Sequence, residues 1–412
     1  MDKNVTVYGA SWCPDCRRSK RFLSEQQIDY EWVDIEQNKE AQAYVEEINE
    51  GKRIIPTIVI DDDSVLVEPS NAELAEKLGL SITDPHDFHD VTIIGAGPAG
   101  LTAAIYAARD GFSVMVIDEG ALGGQAATTE ALENYPGFPD GISGDKWAQR
   151  VVKQAEKFGV EFLQAQAVVG LRSEGQKSLW ITTGDGQEYG SRAILIATGA
   201  DYRHLGVEGE DDFIGAGVHF CSTCDGPFYK DKEVAVVGSG YSAAEESLAL
   251  LNFANKVDLL VRGDKLKVSQ LLADKIERSD KIAVHYHSAV SKLAGKDGKL
   301  SEVHLKDKQS GDETVFQPDG LFVFIGQQPN TDFLKGSGVL LNNHGFIVTG
   351  HQLSHHPDWP SNADAPSGLL ATSVPGVFAA GDVRAGSTKQ VASASGEGTT
   401  AALLIREHLR SN

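Results

Sequence analysis

Apolar and polar positions alternate over "VTVYG" (5–9), and a helical pattern carrying Phe22 and Leu23 separates that run from a second strand-like stretch, "YEWVDI" (30–35). The order predicts a βαβ opening. A further helical stretch, "KEAQAYVEEINEG", is expected to stop at Gly51, where a cap glycine closes a helix. Strands are predicted at "IIPTIVI" (54–60) and "VLV" (65–67), and Ser70 with Glu73 has the spacing of a capping box that opens a last helix through Leu78. Residues 1–80 are therefore expected to form one small domain.

"SITDPHDFHD" (81–90) is polar, contains a proline and lacks periodicity, which predicts a linker. After it, "VTIIGAGPAGLTAAIYAARDGFSVMVIDE" begins with an apolar strand, turns at Gly95, Gly97 and Gly100, runs through an alanine-rich helix and ends in a second strand at Asp118. The glycines permit a tight turn and the close approach of a pyrophosphate to the helix start, and the acid suits a ribose. The pattern recurs in "VAVVGSGYSAAEESLALLNFANKVDLLVRG", with Gly238, Gly240 and Ala243. There the acid is replaced by Val261, followed by Arg262, with Lys265 and Lys267 nearby. Cations at that place attract a 2′-phosphate, so NADPH is expected over NADH.

Composition sets the outer bounds. The chain has 412 residues, 41% hydrophobic and 23% charged, which suits a globular protein of two or three domains. A formal charge of −22 argues against nucleic acid and against anionic lipid as partners. The amino terminus carries no basic flank before an apolar stretch, and no apolar run approaches the roughly 20 residues of a membrane span, so a cytoplasmic protein is expected.

Four cysteines, Cys13, Cys16, Cys221 and Cys224, make two C-x-x-C pairs with none left over. In a reducing compartment this spacing points to redox or metal chemistry. A four-thiolate zinc site is disfavoured because the pairs fall in separate folding units, and no metal is expected. Cys13 sits just after a strand and at a helix start, where dipole and free N–H groups favour a thiolate, so it is read as the attacking sulfur and Cys16 as the resolving one. Arg17, Arg18, Lys20 and Arg21 follow at helical spacing and are read as a solvated face.

Residues 1–80 resemble a glutaredoxin through Cys13-Pro14-Asp15-Cys16, Ile55-Pro56-Thr57 and Ser70-Asn71. Glutathione-using members usually carry a Gly-Gly turn before the last helix, whereas this chain has "DDDSVLVEPSN", whose successive carboxylates disfavour an anionic tripeptide. Residues 91–412 resemble low-molecular-weight thioredoxin reductase. The motifs are Gly123-Gly124-Gln125, Glu133-Asn134-Tyr135-Pro136-Gly137, Cys221-Ser222-Thr223-Cys224-Asp225-Gly226, Gly381-Asp382-Val383 and Lys389-Gln390-Val391.

The resemblance implies an α/β chain: a thioredoxin-like domain, then two Rossmann-type domains, the second inserted in the first. FAD is expected on 91–203 and 327–412, and NADPH with the disulfide on 204–326. It assigns Gly95, Gly97, Gly100, Asp118, Gly124, Gln125, Asn134, Gly381, Asp382, Lys389, Gln390 and Val391 to FAD, and Gly238, Gly240, Ala243, Arg262 and Lys267 to NADPH. By the same resemblance Cys224 faces the flavin, Asp225 is the acid/base, and Cys221 attacks the acceptor once the NADPH domain rotates.

Electrons are then expected to pass from NADPH through FAD to Cys221–Cys224, to Cys13–Cys16, and on to a disulfide acceptor such as thioredoxin or a peroxiredoxin. A homodimer is implied by resemblance alone. Alternatives are a peroxiredoxin-reducing flavoprotein, a reductase of a separate thioredoxin, and a non-catalytic redox sensor. Two departures stand out. The tandem arginines usual for the 2′-phosphate are here Arg262-Gly263 with Lys267 beyond, and residues 350–369 form an extra loop with His351, His355, His356 and Trp359.

Overall fold

A computed structural model describes residues 4–26, 28–60, 64–79, 88–129, 131–174, 178–360, 366 and 368–411. The acids at 61–63, residues 81–87 of the expected linker, and 361–365 and 367 of the extra loop lie outside the described residues. The chain divides into two compact units. One contains Met1–Thr128, Gly144–Gly199 and Pro329–Asn412, and the other Thr129–Ser143 and Ala200–Gln328.

In the first unit the amino-terminal sheet runs Glu31–Asp34, Val5–Gly9, Thr57–Ile60, Ser64–Val67. The first pair is parallel and the other two are antiparallel. The strand expected from residue 54 starts only at Thr57, after a cis Ile55–Pro56 peptide, because proline lacks the N–H that a ladder uses. The helix expected to reach Gly51 stops at Ile48, since the buried Asn49 amide returns to Val45 O and Thr57 Oγ1. Ser70 and Glu73 exchange the reciprocal hydrogen bonds of the capping box.

The same unit holds a larger sheet, whose parallel part runs Glu161–Gln164, Val114–Asp118, Phe88–Ile94, Glu188–Ile196 and Val377–Ala379. An antiparallel meander, Ser178–Thr183 and Val168–Glu174, extends from the first half of Glu188–Ile196. Phe88, His89 and Asp90 were expected in the linker but are the first, buried residues of a strand. Their polar groups deceive at the sequence level because they are paired: Asp90 accepts from Ser113 and from Arg192, and His89 lies 3.2 Å from Glu161. The helices Pro98–Arg109 and Val391–Ser411 cover one face through Ala99, Ala103, Ala401, Ala402 and Ile405.

The basic run is not a solvated face. Lys20 is buried and donates to Leu409 O at 2.9 Å, Arg17 donates to Asp110 O at 2.9 Å, and Arg21 donates to Phe88 O at 2.6 Å. Asp110 caps the helix Pro98–Arg109 and Leu409 lies in the last turn of Val391–Ser411, so two cations meet the electronegative ends of two helices. Ser178 Oγ donates to Ser24 O, and buried Arg192 reaches Asp90, Tyr30 Oη and Leu409 O. The expectation failed because helical spacing of charge cannot distinguish solvent from a row of carbonyls. Arg18 alone stays local, donating to Asp15, Asn71 and Pro69 O.

The second unit is built on a five-stranded parallel sheet, in the order Val218–His219, Gly320–Val323, Glu233–Val237, Lys256–Leu260, Ile282–His285. A three-stranded antiparallel sheet, Ser288–Lys296, Lys299–Asp307 and Glu313–Phe316, belongs to the same unit. Among the described residues no helix is long and apolar enough to cross a membrane.

Candidate dinucleotide and dithiol sites

Gly95 ends the strand Phe88–Ile94 at φ +104°, and a Cβ there would lie 2.3 Å from Ala197 O. Only glycine fits such a turn. Gly97 is the N-cap of the helix Pro98–Arg109, with no side chain bonded to the free N–H groups and nothing within 4 Å of where its Cβ would be. An open helix start with a side-chain-free approach is what a pyrophosphate requires. Gly100 allows the helix to touch Gly95 O, and Gly124 lies against Gly97. Gln125 opens the short helix after it.

Asp118 accepts from Ala96 N at 2.6 Å and Gly120 N at 2.7 Å, so its carboxylate braces the glycine turn. In the same unit Gly381 N donates to Glu397, and Glu397 pairs with Arg384. Asp382 accepts from Ser387 at 2.9 Å, and Lys389 donates to Asp382 O. Burial pushes the Asp382 carboxyl up and the Lys389 ammonium down. Gln390 precedes the long helix that Val391 begins. Asn134 falls in Thr129–Ser143, which belongs to the other unit.

The second cradle repeats the first. Gly238 has φ +154°, Gly240 is an N-cap without a side-chain bond and with open space at its Cβ, and Ala243 is buried against Gly238. Arg262, Lys265 and Lys267 are exposed, and Lys267 N donates to Ser239 O, which brings this basic segment beside the glycine turn. Both cradles thus fit dinucleotides by shape and by free amides.

The two cysteine pairs have the same local geometry. Cys13 is the N-cap of Pro14–Glu25 and accepts from Cys16 N at 3.1 Å, and Cys221 is the N-cap of Ser222–Asp225 and accepts from Cys224 N at 3.1 Å. Cys221 and Cys224 form a disulfide, whereas Cys13 and Cys16 are free and buried. Burial, then the hydrogen bond with Cys13, pushes the Cys16 thiol far up. A small cavity is lined by Ala10, Cys16, Trp32, Phe112 and Leu409.

Around the disulfide the structure adds residues that motif reading missed. Ser222 donates to the half-buried Glu246 of the helix Tyr241–Leu250, which ties the cysteine turn to the helix of the second cradle. His219 lies between Asp225 and Tyr229. The aromatic flank in "HFCSTCDGPFY" was the available signal. His356 of the extra loop contacts Leu341 O and accepts from Asp358 N, while His351 and His355 lie on the turn Gly350–His355. Among the described residues no cluster of three His, Cys, Asp or Glu is arranged to hold a metal ion.

The profile of the pyridine nucleotide-disulphide oxidoreductase family matches residues 89–398, and that of glutaredoxin matches residues 5–65. Thioredoxin reductase of Bacillus subtilis (strain 168) is 37% identical over 321 residues, covering 78% of this chain and 95% of that protein. Thioredoxin reductase of Treponema pallidum (strain Nichols) is 38% identical over 315 residues, 76% of this chain and 95% of that one. Among solved structures, thioredoxin reductase from Streptococcus pyogenes MGAS5005 superposes with a TM-score of 0.71 at 37% identity, covering 79% of this chain and 99% of that chain. The enzyme from Giardia duodenalis gives 0.71 at 32%, with the same coverage.

Proposed function

From the premise that the chain belongs to the pyridine nucleotide-disulphide oxidoreductase family, we propose that it drives its own glutaredoxin domain. It is a flavoprotein disulfide reductase of thioredoxin-reductase type, with FAD and NADPH as cofactors. When bound, NADPH supplies a hydride and FAD passes the electron pair on to a disulfide.

The chain's own residues do the rest. Gly95, Gly97 and Gly100 would receive the FAD pyrophosphate on free helix amides, Asp118 holds the turn, and Gly124 and Gln125 with Gly381, Asp382, Lys389, Gln390 and Val391 would hold the remainder. Gly238, Gly240 and Ala243 take the NADPH pyrophosphate, and Arg262 and Lys267 its 2′-phosphate. Cys224 receives the electrons, Asp225 carries the proton, and Cys221 attacks the next disulfide. Cys13 and Cys16 are that next pair, and a thioredoxin-type disulfide protein is the outward partner. With Cys221–Cys224 poised like a thioredoxin and Cys13–Cys16 like a glutaredoxin, the transfer from the first pair to the second would be downhill by roughly 2–3 kcal/mol.

The observation that carries this reading is the Ser222–Glu246 bond, which makes the disulfide turn and the second cradle parts of one folding unit, in a chain that also carries a second C-x-x-C pair on a glutaredoxin domain. An anaerobic NADPH titration with thiol counting tests it. The full chain is expected to accept two more electrons than a Cys13→Ser, Cys16→Ser variant, and equal counts would remove the internal relay. NADPH loss with thioredoxin, compared with peroxiredoxin plus peroxide, separates the outward acceptors, and light scattering tests the homodimer. The cytoplasm is the proposed location, on the grounds that all four cysteines sit in redox pairs.

A further inference from the structure

His219 ends the strand Val218–His219 and is 7% exposed. Its Nε2 lies 2.7 Å from Tyr229 Oη, and its Nδ1 lies 3.4 Å from Asp225 Oδ2. Phe322 and Tyr229 pack on the ring, each with centroids 5.3 Å away. Tyr229 reaches this place because residue 320 is glycine: a Cβ there would lie 2.3 Å from the Tyr229 ring and 2.7 Å from its hydroxyl. The imidazole is thus buried with both nitrogens engaged, a costly arrangement unless each bond is kept.

We propose that His219 is a positioning residue for disulfide exchange at Cys221–Cys224, holding one oxygen of Asp225 through Nδ1–H while Tyr229 donates to Nε2. This rests on the reading of Asp225 as the proton carrier. Burial, then Asp225 and Asp319, pushes the Tyr229 phenol up to about 12, so its hydroxyl keeps the proton that it can donate to Nε2. A donor at Nε2 leaves the imidazole proton on Nδ1, which lies 3.4 Å from the Asp225 carboxylate. Other charges facing the group are Asp319 before the strand Gly320–Val323 and Lys232, 5.2 Å from the centre of the Tyr229 ring.

Reduction of the pair takes two electrons and one proton. The S–S bond breaks, one sulfur leaves as thiolate, and the other takes the proton from Asp225, which regains it from water through its exposed side. Pinning one oxygen leaves the other to hold that proton in a fixed direction.

Two measurements on the full chain test this. In histidine ¹⁵N spectra, with His219 identified by its loss in a His219→Asn variant, the neutral ring is expected to carry its proton on Nδ1. A proton on Nε2 instead overturns the proposal. In a Cys13→Ser, Cys16→Ser background, the rate of dithiothreitol reduction of Cys221–Cys224 is followed against pH. His219→Gln, which loses the donor near Nδ1, is expected to slow it about tenfold, whereas His219→Asn, which keeps one there, stays within about threefold. Tyr229→Phe keeps the ring against Gly320 and is expected to mix the tautomers and slow exchange severalfold. Equal rates for His219→Gln and His219→Asn overturn the positioning role. If Asp225→Asn slows exchange while His219→Gln does not, the positioning role alone falls. If Asp225→Asn has no effect, the reading beneath it falls too.

Discussion

Cys16 carries the sharpest consequence of burial at a single residue. Its thiol is pushed far up by desolvation and by Cys13, so Cys13 is the sulfur that reacts with alkylating agents near neutral pH, and peptide mapping after brief iodoacetamide treatment is expected to find the label there. The same shift fixes a pH dependence. A thiol raised in the folded state keeps its proton where the unfolded chain, near the ordinary value of 9.0, has lost it. The resulting stability is complete below that value and lost as pH rises through and above it. Denaturant midpoints of the reduced protein should therefore fall between about pH 8.5 and pH 10, and less so in Cys16→Ser. Asp382, buried beside Lys389 and Ser387, belongs to the other chemistry: Asp382→Ala is expected to lower bound flavin at least about tenfold, read from the ratio of absorbance at the flavin and protein bands.

Among elements, the contact between the helices Pro98–Arg109 and Val391–Ser411 sets how the first cradle is backed. Gly398 faces Ala99, where an added Cβ would lie 2.2 Å from the Ala99 carbonyl oxygen. Gly398→Ala is therefore expected to destabilise the unit by about 1–3 kcal/mol and to weaken flavin retention, measured by thermal unfolding of apo and loaded protein. The helix Pro98–Arg109, both glycine turns and the cysteine cap at Cys13 were legible in the sequence because each is a local device of spacing and residue type. Strand ends were less so. Phe88, His89 and Asp90 resemble a linker until their long-range partners, Ser113, Glu161 and Arg192, are in place. The His219–Tyr229 bond and the Ser222–Glu246 bond were equally hidden, since nothing in a motif says which of many polar residues is buried next to it.

At the scale of the molecule, the glutaredoxin domain is seated within the first unit by groups no local pattern reveals. Arg17, Lys20 and Arg21 meet backbone carbonyls, and Arg192 bridges Asp90, Tyr30 and Leu409. Removing Lys20 and Arg17 together by alanine substitution should raise hydrogen exchange across residues 14–25 while flavin content is kept. Arg192→Ala is expected to cost about 3–5 kcal/mol, seen as a lower denaturant midpoint, because Asp90 is then buried without its counter-charge. Lys20 and its acceptor Leu409 stand 389 positions apart. On the ribosome the leading domain is finished long before that acceptor exists, and it must wait, its cations in water, until translation of the closing helix. Nascent chains arrested before residue 391 should accordingly be cut by protease between the two parts, and chains released at full length should resist.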